Sequence, residues 1–156
     1  ATMQEAMPTS FCIGVAGYPE KHFEAPNMHS DMVCLKRKVD AGASYIVTQM
    51  FFDNAKFFAF RDECRKAGIT VPVIPGIKPV TALTDMSLLP QTFHIDLPQE
   101  LVHELRRCTT DEEVRETGIE WATMQSRELL KNEVPGIHYY TLGRSDNIAR
   151  IVKASF

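Results

Sequence analysis

Short apolar runs alternate with helical stretches along this chain, and that rhythm restricts the fold more than any other feature. Residues 12–17 (Cys-Ile-Gly-Val-Ala-Gly), 44–51, 71–74 and 138–142 are rich in β-branched and aromatic residues. They read as strands buried in a sheet. Between them lie helix signals. Ser30 can cap a helix to about Ala41, with Gly42 as its stop. Asp53 or Asn54 caps a second helix that runs to about Ala67 and stops at Gly68, with Phe57, Phe58, Phe60 and Cys64 on its apolar face. Pro75-Gly76 is expected to break the third strand. Residues 99–107 are helical. Thr110 then opens a longer helix through a T-x-x-E capping box with Glu113. That helix is expected to end near Asn132 and to bury Val114, Ile119, Ala122, Leu129 and Leu130. A last helix runs from Asp146 to about Ala154.

Strands that are apolar throughout and separated by helices predict a parallel sheet covered by helices. Two architectures satisfy this: an open doubly wound sheet, or part of a (β/α)8 barrel. A complete barrel needs about 250 residues. A chain of 156 residues with four strand-helix units is about half of one. Neither G-x-G-x-x-G nor G-x-x-x-x-G-K-[ST] occurs, so the dinucleotide-binding open sheet loses its main support. The expected fold class is α/β, of the (β/α)8 TIM-barrel type, with about four β/α units present. Residues 12–156 form that half-barrel and residues 1–11 a lead-in segment.

Composition narrows the function. With 44% apolar and 24% charged residues and a formal net charge of −3, the chain has neither a basic surface for nucleic acid nor a polybasic run for a membrane. No apolar stretch approaches the roughly 20 residues of a membrane span. Cys12, Cys34, Cys64 and Cys108 form no C-x-x-C pair and no zinc pattern, so no metal site is expected. They are expected to be reduced and mostly buried, as in a cytoplasmic protein. The chain opens on Ala1 and not on Met, which leaves room for residues upstream.

Barrel enzymes carry their chemistry at the C-terminal ends of the strands. Here those ends hold Tyr18-Pro19-Glu20-Lys21-His22, then Gln49, then Pro75-Gly76-Ile77-Lys78-Pro79, then Tyr140-Thr141-Leu142-Gly143-Arg144. Together they would make a hydrogen-bonding pocket with aromatic walls. A buried amide such as Gln49 costs stability unless its donors and acceptors are paired. Tyr139 and Tyr140 are adjacent, so on a strand they face opposite ways and one of them packs. Lys36-Arg37-Lys38 on the first helix is either a solvated face or a cationic fork for phosphate.

These residues also carry a family likeness. I-G-V-A-G-Y-P-E-K-H-F-E-A (13–25), D-M-V-C-L-K-R-K-V-D-A-G-A (31–43) and I-V-T-Q-M-F-F-D (46–53) resemble methylenetetrahydrofolate reductase. V-I-P-G-I-K-P (73–79), L-P-Q-E (97–100), G-I-E-W-A (118–122) and G-I-H-Y-Y-T-L (136–142) follow in the family's order. The resemblance implies the C-terminal half of a catalytic (β/α)8 barrel that binds FAD without a covalent bond. It implies reduction of methylenetetrahydrofolate to methyltetrahydrofolate, with NADH or NADPH as co-substrate. By position, Tyr18, His22, Ala25, Asp31, Cys34, Arg37 and Lys38 fall where the family contacts FAD. Gln49, Tyr140 and Arg144 fall where it meets the substrate.

The family's general acid is a glutamate on the first barrel strand, so no catalytic residue is nominated in this chain. The implied partners are the folate, the missing N-terminal half-barrel and further copies in a homo-oligomer. Some positions depart from the family pattern. Cys34 stands where an amide is common, Phe23 where proline is common, and Gly143 where asparagine is common. Residues 80–96 offer Leu83, Met86, Leu88 and Leu89 where the family presents an aromatic ring. Two other readings stay open: a non-catalytic half-barrel that serves assembly or regulation, and a flavin barrel acting on another imine or amine.

Overall fold

The computed structural model describes residues 11–141 and 145–156. Four strands, β1 (Gly14–Gly17), β2 (Tyr45–Met50), β3 (Val73–Ile77) and β4 (His138–Tyr139), form one sheet in the order β1-β2-β3-β4. All three pairings are parallel. Helices α1 (Met28–Asp40) and α2 (Asn54–Lys66) follow the first two strands. Helices α3 (Asp85–Phe93), α4 (Gln99–Arg107) and α5 (Asp111–Lys131) separate β3 from β4, and α6 (Asp146–Ser155) ends the chain. Each strand lies beside the next one in sequence, without the reversal that marks a doubly wound sheet. The expected α/β class with a parallel sheet therefore holds.

The two faces of the sheet differ. Val15, Ile46 and Val73 lie in one row across three strands, and all three pack into a core with Leu35, Phe57, Phe60 and Ile77. The next row, Ala16, Val47 and Ile74, faces the other way and is exposed or half-buried. This is the period-2 alternation of a strand. A second core of Met50, Phe52, Val80, Leu89, Leu101, Leu105 and Val114 joins the end of β2 to α3, α4 and α5. Helix α5 comes close to the backbone of Val80 because Gly118 has no side chain there.

Several elements differ from expectation for identifiable reasons. Asn27, not Ser30, caps α1: its side chain accepts from Ser30 N at 2.9 Å, which places Ser30 inside the first turn. Pro75-Gly76 does not end β3. Pro75 cannot donate to the ladder, so β2 carries one extra residue at this point. Gly76 N donates instead to the Thr48 hydroxyl at 2.9 Å, and the strand continues to Ile77. Helix α3 lies in the stretch 80–96, where the sequence reading places no helix, and Pro90 stands inside it. Only Cys64 is buried; Cys108 is half-buried, and Cys12 and Cys34 are exposed on loop and helix surfaces. The capping box of Thr110 and Glu113 forms as expected. Leu130 and Phe58 are half-buried, not buried.

Candidate functional site

The C-terminal end of β1 leads into a loop that turns back onto α1. Tyr18 meets the His22 ring edge-on at 4.6 Å. His22 N donates to Asp31 Oδ2 at 2.8 Å, which ties the loop to the first turn of the helix. Asp31, Cys34 and Arg37 then follow at a three-residue spacing along one face of α1, with Lys38 beside them. From Asp31 to Lys38 the helix rises about 10 Å. Tyr18, His22, Ala25, Asp31, Cys34, Arg37 and Lys38 thus form one strip. Arg37 and Lys38 are exposed, and neither pairs with a carboxylate among the described residues. Lys36 is different: it is committed to Asp40 at 2.5 Å.

Gln49 and Tyr140 both lie at the open face of the sheet, each with its own partner. The bulge in β2 leaves the Met50 N–H to the Gln49 side chain, whose Oε1 accepts it at 3.0 Å. Half of the amide is thereby satisfied locally. Its Nε2 donates to no group among the described residues. Tyr140 crosses β3 to reach β2: its hydroxyl donates to the Thr48 carbonyl at 2.9 Å, and its N–H to Ile77 O at 2.9 Å. That crossing needs Gly76, since a Cβ there would collide with both the Thr48 carbonyl and the Tyr140 ring. Tyr139 faces the other way and donates to Ser126 on α5 at 2.9 Å, so it is the packing member of the pair. Burial pushes the Tyr140 hydroxyl above its ordinary pKa, and the nearby Tyr18 adds to this. Tyr18 is raised by burial and by Asp31. Arg144 lies outside the described residues.

Some residues around the site were not singled out from the sequence. Glu20 is nearly buried and bridges Lys56 of α2 at 2.9 Å, while its other oxygen accepts from Asp96 N at 2.7 Å. Lys56 also pairs with Asp96 at 2.6 Å. Burial raises the pKa of Glu20, with Lys56 and the Asp96 N–H opposing. Burial works against the Lys56 charge, yet Asp96 and Glu20 outweigh it and raise its pKa. Phe23 stacks on His94 at 4.7 Å and lies 4.9 Å from His22, so it joins the loop to the end of α3. Lys78 and Asp85 form a buried pair at 3.5 Å after β3. The contacts of Glu20 and Lys56 and the Phe23–His94 stack link residues dozens of positions apart. The only sequence signal was the charged run after Tyr18-Pro19.

Among the described residues no helix is long and apolar enough to cross a membrane, and no cluster of three or more metal-ligating side chains occurs.

Comparison with known proteins gives a consistent outcome. A family model described as methylenetetrahydrofolate reductase matches residues 2–155. A Caenorhabditis elegans protein described as probable methylenetetrahydrofolate reductase (NADPH) is 36% identical over 154 residues, 97% of this chain and 23% of its own length. The 5,10-methylenetetrahydrofolate reductase of Escherichia coli is 38% identical over 137 residues, 87% of this chain and 46% of its own. The chain therefore spans from 23% to 46% of the length of these relatives. A solved structure from Clostridium thermocellum, described as an uncharacterized protein that binds two copies of 5-methyl-5,6,7,8-tetrahydrofolic acid, aligns with a TM-score of 0.57. It covers 91% of this chain and 51% of its own, at 16% identity. At that identity the likeness concerns the fold.

Proposed function

The chain belongs to the methylenetetrahydrofolate reductase family, and we propose that it is the C-terminal half of a (β/α)8 barrel whose complete form reduces methylenetetrahydrofolate with NADH or NADPH through bound FAD. The observation that carries this reading is the convergence of two features on one rim. One is the strip from Tyr18 to Lys38; the other is the placing of Gln49 and Tyr140 on the open sheet face. Strand order supports the barrel. Four consecutive parallel neighbours are one half of an eight-strand ring, and their half-exposed face would become its inner wall.

The residues fit a flavin dinucleotide. Two exposed cations without carboxylate partners on one helix face suit a diphosphate. Tyr18, His22 and Ala25 would hold the cofactor from the loop. Asp31, Cys34, Arg37 and Lys38 would hold it along α1. When bound, FAD supplies two-electron transfer between nicotinamide and folate. The protein's part is to place and read the ligands. The free Nε2 of Gln49 can donate to a ring acceptor of the folate. Tyr140 can give that ligand an aromatic wall, as Arg144 can give it a charge. The general acid is assigned to the remaining half of the barrel.

Purified full-length protein is expected to be yellow and to oxidise reduced nicotinamide with menadione or methylenetetrahydrofolate as acceptor. A full-length protein without flavin, inactive with added FAD, contradicts the reading.

A second reading draws on the open face itself. A half-exposed sheet whose two edges are unpaired among the described residues can pair with another copy, as an assembly module would. A well-behaved monomer of the 156-residue chain in light scattering counts against it.

A further inference from the structure

The loop after β1 is folded around the side chain of one of its own residues. Lys21 has φ = 76°, a left-handed conformation disfavoured for any residue with a Cβ. Its ammonium nitrogen lies 2.8 Å from His22 O, 2.7 Å from Ala25 O and 3.3 Å from Phe23 O. An ammonium has three N–H donors and no acceptor, so the loop uses all three. A lysine on a mobile surface loop would extend its charge into water; this one is half-buried. It makes no ion pair with a carboxylate among the described residues.

Three carbonyl oxygens turned toward one point repel one another unless a cation stands between them. The backbone bonds of the loop agree with that geometry: Lys21 N donates to Tyr18 O at 3.1 Å, and Ala25 N to His22 O at 3.0 Å. The two residues whose carbonyls lie nearest the ammonium, His22 and Ala25, are also two of those assigned to the flavin. Glu20, one position earlier, fixes the outside of the same loop to Lys56 and Asp96. The loop is therefore held from both sides before any ligand arrives, which lowers the ordering cost of binding.

We propose that Lys21 is a positioning residue, a tethered internal cation that sets the backbone of residues 21–25 in the shape that meets the cofactor. The inference rests on the flavin reading for what the loop holds, but not for how the loop is held.

Two variants of the full-length protein separate charge from strain. Lys21→Met keeps the aliphatic stem and removes the charge. Lys21→Gly removes both the stem and the left-handed strain, and it leaves room for a free cation. In both, amide hydrogen exchange at Ala25 is expected to rise about tenfold or more, and FAD is expected to dissociate about five- to tenfold more readily than from the unaltered protein. Methylammonium or ammonium at tens of millimolar should restore slow exchange at Ala25 in Lys21→Gly but not in Lys21→Met, whose stem still fills the space. Tetramethylammonium, which has no N–H, should restore neither. Unchanged Ala25 exchange in Lys21→Met, or equal recovery with tetramethylammonium, overturns the proposal. If the unaltered protein retains no flavin, the flavin assignment fails, while the exchange and rescue measurements still decide the role of Lys21.

Discussion

The two faces of the sheet are built from alternate residues of the same strands, yet they serve different ends. The face that carries Val15, Ile46, Val73 and Ile77 is closed by helices, and Ile46 and Ile77 have no exposed surface. The opposite face carries Ala16, Val47, Gln49, Ile74, His138 and Tyr140, all exposed or half-buried. The closed face holds the fold together. The open face and its rim hold the residues assigned to ligands. An aliphatic side chain on the first is fixed by packing alone, whereas those on the second also rely on hydrogen bonds: Gln49 to Met50 N, and Tyr140 to Thr48 O besides its packing against the second core.

The largest expected effect tests the closed face. Phe57→Ala removes a fully buried ring stacked on Phe51 at 5.3 Å. It should cost about 4 kcal/mol in denaturant unfolding of the full-length protein. A cost below about 1 kcal/mol would mean that α2 does not close this face. Gln49→Ala tests the open face by function. It should lower kcat/KM for methylenetetrahydrofolate about tenfold or more, roughly 1.4 kcal/mol, while flavin is retained on dialysis. Equal loss of flavin would move Gln49 from the substrate to the cofactor. Arg37→Ala, on the strip outside the sheet, should weaken FAD about tenfold; unchanged affinity would leave Arg37 a solvated surface charge.

A smaller effect depends on pH. Glu20→Gln gives up the bonds to Lys56 and to Asp96 N as charge-assisted contacts, at about 2 kcal/mol near neutral pH. Burial raises the folded pKa of Glu20 above its unfolded value. The native state therefore binds its proton more readily than the unfolded chain does, and the carboxylate is neutralised as pH falls through that raised value. Protonation of Glu20 therefore favours the fold, and the stability gap between the unaltered protein and Glu20→Gln should widen on acidification through that raised pKa. Lys56 is raised as well, so its share of the pairing persists through neutral pH and fades only as pH rises through its folded pKa. A gap that narrows toward low pH in urea titrations would contradict this account.

The closed face was the legible one. Its residues recur with the spacing of strands and helices, and local side chains mark several helix ends, as the capping box of Thr110 and Glu113 does. Where the sequence misled, a tertiary contact replaced a missing local one. Pro75 reads as a break because it lacks an N–H, but the Thr48 hydroxyl takes up the Gly76 donor and the strand goes on. Pro90 reads as a helix breaker. Helix α3 forms around it nonetheless, with Leu89 in the core and Asp85 Oδ2 accepting from Thr81 N at 2.8 Å. Ser30 was mistaken for a cap because Asn27 and Ser30 are both good acceptors, and only geometry tells which begins the helix.

At the site, residue types at the strand ends pointed to Tyr18, His22, Gln49 and Tyr140. The partners that fix them were not visible. Glu20 lies 36 positions from Lys56, and Lys56 lies 40 from Asp96; no periodicity joins them. The Gln49–Met50 contact depends on a bulge that only the pairing of β2 with β3 reveals.

The central claim is that the open face is the inner wall of a barrel completed by the rest of the protein. Val47 tests it most directly, because it stands one residue from fully buried Ile46 and points the other way. The measurement is the rate at which a thiol reagent labels Val47→Cys, resolved by mass spectrometry from Cys12 and Cys34, in the full-length protein and in its unfolded state. A barrel interior predicts that labelling in the native protein is slowed at least a hundredfold and recovers on unfolding. Native labelling as fast as in the unfolded state would show that nothing covers the face, and the half-barrel reading would fall.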